Sequence, residues 1–320
     1  MAVTARPTHT PVLLAEVVEA LRPALGAGRT LLDATVGLGG HASALLEACP
    51  GTRLVGIDRD GEALALAQQR LATFPDVHLV RARFDELGAV LDGLGVGLVQ
   101  GMLFDLGLSS LQIDEAERGF AYTRNGPLDM RMDDRAGVTA ADIVNTWSDA
   151  DLAQAIRDFG EEPHALRVAQ AIVAARARAP IATTGQLADV VMAAMPAAVR
   201  YGDGGHPAKR VFQALRIATN DELTALTQAL PVALAHLGVD GRLAVISYHS
   251  LEDRLVKQAF RAATTTQAPR RLPVIPPSLQ PRFASVVDQA IRPSEREVAA
   301  NSRAASARLR VITRVREDPS

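Results

Sequence analysis

The amino-acid sequence predicts an α/β fold, in which a mostly parallel sheet is interrupted by an inserted all-helical domain. Two observations indicate this fold. Short apolar segments alternate with helix-like segments as far as Asp105, a spacing typical of parallel strands joined by right-handed crossovers. The alternation then stops, and several helix-like segments follow before apolar strands return near the C-terminus. Hydrophobic residues make up 48% of the 320 positions, which is enough to form a buried core.

Four strands are predicted in the first part of the chain. They are Leu31–Asp33, Arg53–Asp58, Val77–Ala82 and Leu98–Asp105. Helices are predicted between them, over Ala42–Ala48, from Gly61 to about Thr73, and over Phe84–Leu94. Because parallel neighbours need a long crossover connection, strands separated by helices are expected to run in the same direction.

Helix-start patterns mark the insertion. The segments "TAAD" at Thr139 and "SDAD" at Ser148 place a hydroxyl three residues before a carboxylate, as in a capping box. A further helix is predicted in "GEEPHALRVAQAIVAARAR", and another follows in "TTGQLADVVMAAM". The apolar face of the first of these two helices is expected to contain Leu166, Ala169, Ile172 and Val173.

Two strands are predicted after the insertion. They cover Arg242–Tyr248 and Ala307–Val315, and the connection over Thr264–Pro293 is predicted to be a loop because it is rich in Pro, Thr and Gln. The sequence therefore divides into an α/β domain formed by residues 1–112 and 206–320, and an inserted helical domain formed by residues 113–205.

A glycine-rich turn joins the first strand to its helix. The residues from Gly37 to Ala42 satisfy the dinucleotide-binding pattern G-x-G-x-x-G/A, which gives the sheet a Rossmann-like character. Asp58 follows roughly twenty residues later, at a strand end where an acid accepts hydrogen bonds from ribose hydroxyls. A single acid there is otherwise a surface residue or a helix cap. Turn and acid together predict an adenosine-containing ligand, which dehydrogenases and adenosylmethionine-dependent methyltransferases both bind.

Three details favour a methyltransferase. Asp33 stands at the end of the first strand, where methyltransferases commonly carry an acid and dehydrogenases are normally apolar. The fourth strand ends in the polar turn "FDLGLSS", at the sheet edge where ligands of such folds bind. The late basic strand is compatible with the extra antiparallel strand of methyltransferase sheets.

Composition and charge restrict the class of protein further. The single cysteine, Cys49, excludes an internal disulfide and a Cys-rich zinc cluster, and no metal is expected. No apolar run approaches the roughly 18 residues of a membrane span, and the N-terminus lacks a secretory pattern, so the chain is expected to be cytoplasmic. The net charge of −2 does not indicate a nucleic-acid binder, although arginines accumulate in the C-terminal third. That basic segment could hold a polyanion, or it could be a solvated face.

Ten segments in order resemble one family. They are "HTPVLLAEVVEAL", "DATVGLGGH", "GIDRD", "LFDLGLSSLQIDEAERGFAY", "GPLDMRMD", "TAADIVN", "FGEE", "FQALRIATNDEL", "GRLAVISYHSLEDRLVK" and "NSRAASARLRV". They are similar to the bacterial 16S ribosomal RNA cytosine-N4 methyltransferases of the MraW or RsmH type, from about His9 to about Val315. One departure is Tyr248, where that family usually has Phe.

The resemblance implies a class I methyltransferase fold, S-adenosyl-L-methionine as the cofactor, and methylation of a cytidine amino group in the decoding region of 16S ribosomal RNA. It assigns seven residues to the cofactor: Gly39, Gly40, His41, Asp58, Phe84, Asp105 and Gln112. Core packing is the alternative for Phe84. The expected partner is 16S ribosomal RNA, in the small subunit or in an assembly intermediate, and no membrane is expected. The oligomeric state is left open between a monomer and a homodimer.

Candidates for catalysis follow the fourth and fifth predicted strands. They are Asp105, Ser109 and His249; a turn cap is the alternative for Ser109, and a capping box is predicted for Ser250 with Asp253. A neutral imidazole at position 249 could accept a hydrogen bond from the cytosine amine. The inserted domain is expected to recognise substrate. Candidates for RNA contact are Asp129, Arg131, Lys209, Arg210, Gln213, Arg216, Asn220 and Arg254, with a solvated helix face as the alternative for the stripe from Lys209 to Asn220.

Two other functions remain open from the residues alone. One is a nicotinamide-dependent oxidoreductase, although no strong hydride-transfer constellation is present. The other is a non-catalytic RNA-binding or assembly factor with a vestigial cofactor pocket. The intact glycine turn, the strand-end acids and the fourth-strand motif argue against the second alternative.

Overall fold

A computed structural model describes residues 10–135, 137–201, 205–266, 268, 269, 276 and 279–317. The chain forms two compact units. The first unit consists of Met1–Gly107 and Thr224–Ser320, and the second unit is Leu108–Leu223. The second unit is wider than the predicted insertion of residues 113–205, because the helix Ala208–Asn220 packs on the helix Asp149–Gly160 inside that unit.

The first unit is built on one sheet. Its strands are β1 (Thr30–Asp33), β2 (Arg53–Asp58), β3 (Val77–Arg81), β4 (Val99–Asp105), β5 (Leu237–Ser247), β6 (Phe283–Ser285) and β7 (Arg308–Arg314). Within the described residues the strand order is β3-β2-β1-β4-β5-β7-β6. Strands β1 to β5 pair in parallel, and β7 is antiparallel to both of its neighbours. This sheet confirms the predicted Rossmann-like class I methyltransferase fold.

The helices complete both units. In chain order α1 to α14 are Leu14–Leu21, Gly40–Ala48, Gly61–Arg70, Leu87–Gly93, Ser110–Asp114, Ala140–Thr146, Asp149–Gly160, Ala165–Arg176, Thr184–Ala194, Ala197–Arg200, Ala208–Asn220, Glu222–His236, Ser250–Thr264 and Glu295–Ala300. Short 3₁₀ helices include Phe84–Glu86, directly before α4. No described helix has both the length and the apolar character that crossing a bilayer requires.

Apolar residues fill both faces of the sheet. Leu32 and Met102 belong to one buried cluster, whereas their chain neighbours Leu31 and Leu103 belong to a second cluster. This division follows from the alternation of side chains along a strand, and a sheet covered on both faces explains why the strands are continuously apolar. The second unit has an apolar cluster of its own, formed by helices α6 to α9 and α11 together with residues of its loops.

Several local predictions are confirmed. Thr139 caps α6 and Ser148 caps α7, each accepting a hydrogen bond from the backbone N–H of the residue three positions on. The predicted apolar face of α8 is wrong at Leu166, which is 53% exposed, because the helix turns Ala165 and Val168 toward the core instead.

The predicted loop over Thr264–Pro293 is also corrected. It contains β6, whose three residues pair with β7 and are too few for an apolar pattern to show. Residues 267, 270–275, 277 and 278 of that segment lie outside the described residues.

The strand order determines where ligand-binding residues can meet. Strand β1 lies between β2 and β4. The chain continues from β1 to β2 on one side and from β4 toward β5 on the other side, so the connections that leave β1 and β4 diverge at the carboxyl edge of the sheet. Asp33 pairs in register with Gly56 of β2 and with Leu103 of β4. The acids that end β1, β2 and β4 therefore share one edge, the place where open α/β sheets bind ligands.

Candidate active site

Asp33, at the end of β1, is the most deeply buried of the three strand-end acids. Its residue is 1% exposed, and its Oδ1 accepts a hydrogen bond of 3.2 Å from the Thr35 backbone N–H. Burial raises the pKa of Asp33 to about 8; the Thr35 hydrogen bond opposes this rise, and the negative charges of Asp105 and Asp58 add to it. Asp33 is therefore a neutral carboxylic acid near pH 7, able to donate a hydrogen bond.

Asp58, at the end of β2, ties the glycine-rich turn to the sheet. Its Oδ2 accepts from the Gly37 N–H at 2.8 Å, and its Oδ1 accepts from the Asp60 N–H at 2.9 Å. Burial raises the pKa of Asp58, while these two backbone hydrogen bonds lower it. Each oxygen keeps acceptor capacity for one further donor.

Different structural constraints explain why glycine occupies each position of the turn. Gly37 and Gly39 have φ angles of 51° and 76°, in the left-handed region that glycine adopts without strain. A Cβ on Gly39 would lie 3.2 Å from Leu71 Cδ1, and a Cβ on Gly40 would lie 2.6 Å from Pro11 Cγ. Packing therefore explains Gly39 and Gly40, and their contact with a cofactor stays a prediction.

Gly37 lies beside the Asp58 carboxylate. The nearest atoms to a Cβ placed there are Thr35 O at 3.8 Å and Asp58 Oδ2 at 4.0 Å. These are ordinary van der Waals contacts, so the positive φ angle explains the glycine at this position, and crowding does not.

Asp105, at the end of β4, is held by three groups. Its Oδ1 accepts a hydrogen bond of 2.7 Å from the Tyr248 hydroxyl, and its Oδ2 lies 3.4 Å from His41 Nδ1. Its backbone N–H donates to Thr35 Oγ1 at 2.6 Å. Burial raises the pKa of Asp105, while His41 and Tyr248 lower it. Asp105 is still 25% exposed, which leaves it accessible to a ligand.

His41 and Phe84 were both assigned to the cofactor. His41 is buried, and because its Nε2 lies 3.0 Å from the Val12 carbonyl oxygen, that nitrogen must carry a proton. Phe84 is half-buried and meets the edge of Phe104, with ring centroids 6.0 Å apart. The packing alternative for Phe84 is therefore present, and its partial exposure leaves the cofactor assignment as a prediction.

Gln112 and Ser109 lie in the second unit, where they begin α5. The Ser109 N–H donates to Gln112 Oε1 at 3.1 Å, and the Gln112 N–H donates to Ser109 Oγ at 3.3 Å. This reciprocal capping box is the structural alternative foreseen for Ser109. Gln112 is 4% exposed.

His249 is the N-cap of α13. Its Nδ1 accepts a hydrogen bond of 3.5 Å from the Glu252 N–H, and the Glu252 carboxylate accepts from the backbone N–H of His249 at 3.3 Å. Its Nε2 lies 3.1 Å from Glu252 Oε1, outside hydrogen-bond geometry, so that this buried nitrogen has no hydrogen-bond partner among the described residues. With Nδ1 used as an acceptor, Nε2 carries the proton.

The capping box predicted for Ser250 and Asp253 is therefore wrong by one residue. The box is formed by His249 and Glu252, and Asp253 has a different role. Asp253 is 6% exposed and accepts hydrogen bonds from Arg308 and Arg310 of β7, at 2.8 Å each. Although burial raises the pKa of Asp253, the hydrogen bonds from these two arginines hold it below its ordinary value.

The RNA candidates Asp129 and Arg131 form a bidentate ion pair in the second unit. Arg131 Nη2 lies 2.7 Å from Asp129 Oδ2, and Arg131 Nε lies 2.9 Å from Oδ1. Burial raises the pKa of Asp129, but the hydrogen bonds from Arg131 outweigh it and hold the value below its ordinary range. The pair is partly exposed, at 24% and 27%.

The polar side chains of α11 between Lys209 and Asn220 make their hydrogen bonds largely within the second unit. Asn220 is 6% exposed; it accepts from the Met132 N–H at 2.8 Å and donates to the Met130 carbonyl at 2.7 Å. Gln213 donates to the Phe159 carbonyl, and Arg216 donates to Glu222 at 2.9 Å. These contacts give Asn220 a structural role at the loop of Met130, and its contact with RNA stays a prediction.

Three basic candidates remain at the surface. Lys209 and Arg210 are exposed on α11, and Arg254 is exposed on α13 of the first unit. Arg210 Nη1 lies 3.7 Å from Glu162 Oε2.

Two contributors to the site were not identified from the sequence. Thr35 anchors the backbone of Asp105, and Tyr248 appeared in the sequence only as a departure from a family pattern. The available signal was the position of each residue, Thr35 two residues after β1 and Tyr248 directly after β5, at the edge where the acids lie.

Residues 6–315 match the MraW methylase family. A relative named ribosomal RNA small subunit methyltransferase H, from Thermobifida fusca, is 55% identical over 97% of this chain and 94% of that protein. The protein of the same name from Salinispora tropica is 54% identical over 98% of this chain and 86% of its own length. Among solved structures, an rRNA methylase from Streptococcus thermophilus covers 98% of this chain and 100% of its own, with 12% identity and a TM-score of 0.42.

Proposed function

This chain belongs to the MraW methylase family, and from that premise we propose that it transfers a methyl group from S-adenosyl-L-methionine to the N4 atom of a cytidine in the decoding region of 16S ribosomal RNA. The observation that carries the proposal is similarity along nearly the whole chain to relatives named for small-subunit ribosomal RNA methylation. The segments quoted from the sequence support the cytosine-N4 specificity. The substrate is the small subunit or an assembly intermediate, in the cytoplasm.

The donor set at the sheet edge fits this cofactor. S-adenosylmethionine has ribose hydroxyls, which donate hydrogen bonds, and a positively charged ammonium group. Asp58 offers acceptor capacity beside the glycine-rich turn, and the partly exposed Asp105 offers a carboxylate. Asp58 would bind the ribose, and Asp105 would bind a positive group of the cofactor.

When bound, the cofactor supplies a methyl group activated by a positively charged sulfur. The task left to the protein is to place the cytosine amine in line with that methyl group, because the amine lone pair is delocalised into the ring. Positioning alone supplies up to about 7–11 kcal/mol in well-oriented reactions. A carboxylate that accepts a hydrogen bond from the amine helps further, since it draws the nitrogen toward tetrahedral geometry and receives its proton.

His249 does not suit this acceptor role in its cap geometry. The cap geometry of His249 leaves a protonated Nε2, which can donate a hydrogen bond but cannot accept one from the amine. Ser109 offers a hydroxyl at the end of the same β4 segment, although its Oγ accepts from the Gln112 N–H.

The second unit recognises RNA in this proposal. It presents Lys209 and Arg210 at its surface, together with the partly exposed Arg131. Positively charged side chains at a surface attract phosphates, which position an RNA before any base is read.

The test is to incubate purified protein with small ribosomal subunits and labelled S-adenosylmethionine, and to map the labelled nucleotide by mass spectrometry. We expect one labelled cytidine, with the methyl group on the exocyclic nitrogen. Free 16S ribosomal RNA and immature subunits are parallel substrates that identify the assembly stage. Label on another base, or on another atom of the cytidine, would overturn the proposal. Titration with NAD in place of S-adenosylmethionine tests the oxidoreductase alternative.

A further inference from the structure

The Tyr248 hydroxyl is a partly buried polar group of the site that the cofactor assignment does not use. Tyr248 follows β5 directly, and its ring lies against Gly107, where an added Cβ would come within 3.2 Å of Tyr248 Cδ2. Its backbone N–H donates to Glu252 Oε2 at 2.7 Å. The backbone and the ring are thus both held, which directs the hydroxyl to Asp105 Oδ1 at 2.7 Å.

This hydroxyl is a permanent donor. Burial raises the pKa of Tyr248 well above its ordinary value, and the nearby carboxylates of Asp105, Glu252 and Glu297 raise it further. Tyr248 therefore stays protonated at neutral pH. A hydrogen bond to the charged form of a carboxyl group favours that form, so the Tyr248 hydroxyl stabilises ionised Asp105.

His41 lies at the second oxygen of Asp105: its Nδ1 is 3.4 Å from Asp105 Oδ2. Two other charged or titratable groups act on this carboxyl: Asp33 from β1 and Glu252 from α13. Both are acids, and both oppose its ionisation when they are charged. His41 and Tyr248 are the groups that favour ionised Asp105.

We propose that Tyr248 is a positioning residue that keeps Asp105 ionised and oriented, so that the carboxylate is available to a positively charged group of the cofactor. This inference rests on the proposed function, because it takes S-adenosylmethionine as the ligand of Asp105. It gives the hydroxyl of Tyr248 a role in the pH dependence of cofactor affinity.

The test is calorimetric titration with S-adenosylhomocysteine, which keeps the ammonium group and the ribose, for the wild type and Tyr248→Phe between about pH 5.5 and pH 9. Without the hydroxyl, Asp105 takes up its proton at a higher pH. The fall in affinity on the acid side should therefore begin at higher pH, with about tenfold weaker binding at the acid end and near-equal binding at the alkaline end. Identical profiles, or a uniform loss at every pH, would overturn the proposal.

Two further variants separate positioning from general damage. Tyr201→Phe removes a hydroxyl from a side chain that is 80% exposed in the second unit, and it should leave the pH profile unchanged. In an Asp105→Asn background, Tyr248→Phe should no longer shift the profile, because no ionisable carboxyl group remains for the hydroxyl to act on. A shift that persists in this background would assign the effect to another group.

A readout without cofactor keeps this inference distinct from the proposed function. Carbon NMR of the Asp105 carboxyl group in the ligand-free protein reports its ionisation directly. Tyr248→Phe should move the ionisation of Asp105 to higher pH, because the variant lacks the hydroxyl that favours the carboxylate. An unchanged Asp105 titration would refute the link between Tyr248 and this carboxyl group. If the NMR signal shifts while the wild type binds no S-adenosylhomocysteine, the proposed function fails and the link itself stands.

Discussion

Asp33 has a single hydrogen-bond donor among the described residues, the Thr35 N–H, whereas Asp58 has two backbone donors and Asp105 has the Tyr248 hydroxyl and His41 nearby. At the residue scale, the number and charge of these partners decide how each carboxyl group responds to burial. Burial outweighs the single hydrogen bond at Asp33, whose pKa rises to about 8. The three acids at one sheet edge therefore offer different chemistry: a neutral donor, a backbone anchor and a carboxylate beside a histidine.

Asp33→Asn should stabilise the protein at neutral and alkaline pH. Between the ordinary pKa of 3.8 and the folded value of about 8, the folded state holds a proton that the unfolded state has lost, so raising the pH weakens the wild type. The amide cannot ionise, and its oxygen can still accept from Thr35. The stability gain of the variant should grow by about 1.4 kcal/mol per pH unit in this window, as measured by urea unfolding at several pH values. A pH-independent difference would contradict the raised pKa.

Asp58→Ala should weaken S-adenosylhomocysteine binding by about 1–3 kcal/mol, because it removes a charged acceptor for the ribose. It also leaves the N–H groups of Gly37 and Asp60 without their acceptor, so a decrease in melting temperature is expected as well. Asp76→Ala is the matched control, since Asp76 is a 53% exposed acid next to β3. Calorimetric affinity unchanged in folded Asp58→Ala would remove the ribose assignment.

At the scale of elements, helix starts and strand ends carry the polar groups of the site. Strands β1, β2 and β4 each end in an acid, and α13 begins with a histidine cap. This cap bears on function because it engages the imidazole of His249, which the sequence predicted as a catalytic group. Helix α13 also supplies Asp253, which joins the helix to β7 through Arg308 and Arg310.

His249→Ala should lower the free energy of unfolding by about 0.5–2 kcal/mol, the usual cost of losing an N-cap. His249→Asn should restore most of that loss, because asparagine is a good capping residue. Single-turnover methylation, at saturating cofactor and RNA, should then stay within a few-fold of the wild type in the Asn variant. If both folded variants lose about 10²-fold or more in rate, His249 acts on the substrate and the cap interpretation is insufficient.

At the scale of the whole molecule, the chain leaves the first unit after Gly107 and returns to it at Thr224. Each unit has its own apolar core. The glycine turn and the three strand-end acids all belong to the first unit, whereas Gln112 and most RNA candidates belong to the second unit. This division suggests that cofactor binding and RNA recognition can be separated by experiment.

Replacement of residues 108–223 by a flexible linker should give a protein that binds S-adenosylhomocysteine but no longer methylates small subunits. Because Gln112 is removed as well, the affinity should fall by up to about tenfold. Circular dichroism and a cooperative thermal transition establish that the variant is folded, and the full-length chain is the reference. Normal methylation by a folded variant would show that the second unit has no role in substrate recognition.

Local sequence patterns determined most of the fold and part of the site. Continuous apolar runs predicted β1 to β5 and β7, hydroxyl-to-carboxylate spacing predicted the caps at Thr139 and Ser148, and strand ends marked Asp33, Asp58 and Asp105. These features depend on residues a few positions apart, so the sequence displays them directly. The three residues of β6 were too few to show a pattern, and their pairing with β7 is a contact between distant segments.

Tertiary structure alone decided the chemistry of the site. Tyr248 forms a hydrogen bond with Asp105, which lies 143 positions away in the sequence, and Asn220 forms one with Met130, which lies 90 positions away. The neutral state of Asp33 likewise requires its complete burial and the nearby charges of Asp105 and Asp58. A polar side chain in a sequence can equally face solvent, a ligand or a distant backbone group. The choice among these depends on which groups folding brings within hydrogen-bond distance and on how much water it removes, and both are properties of the packed molecule.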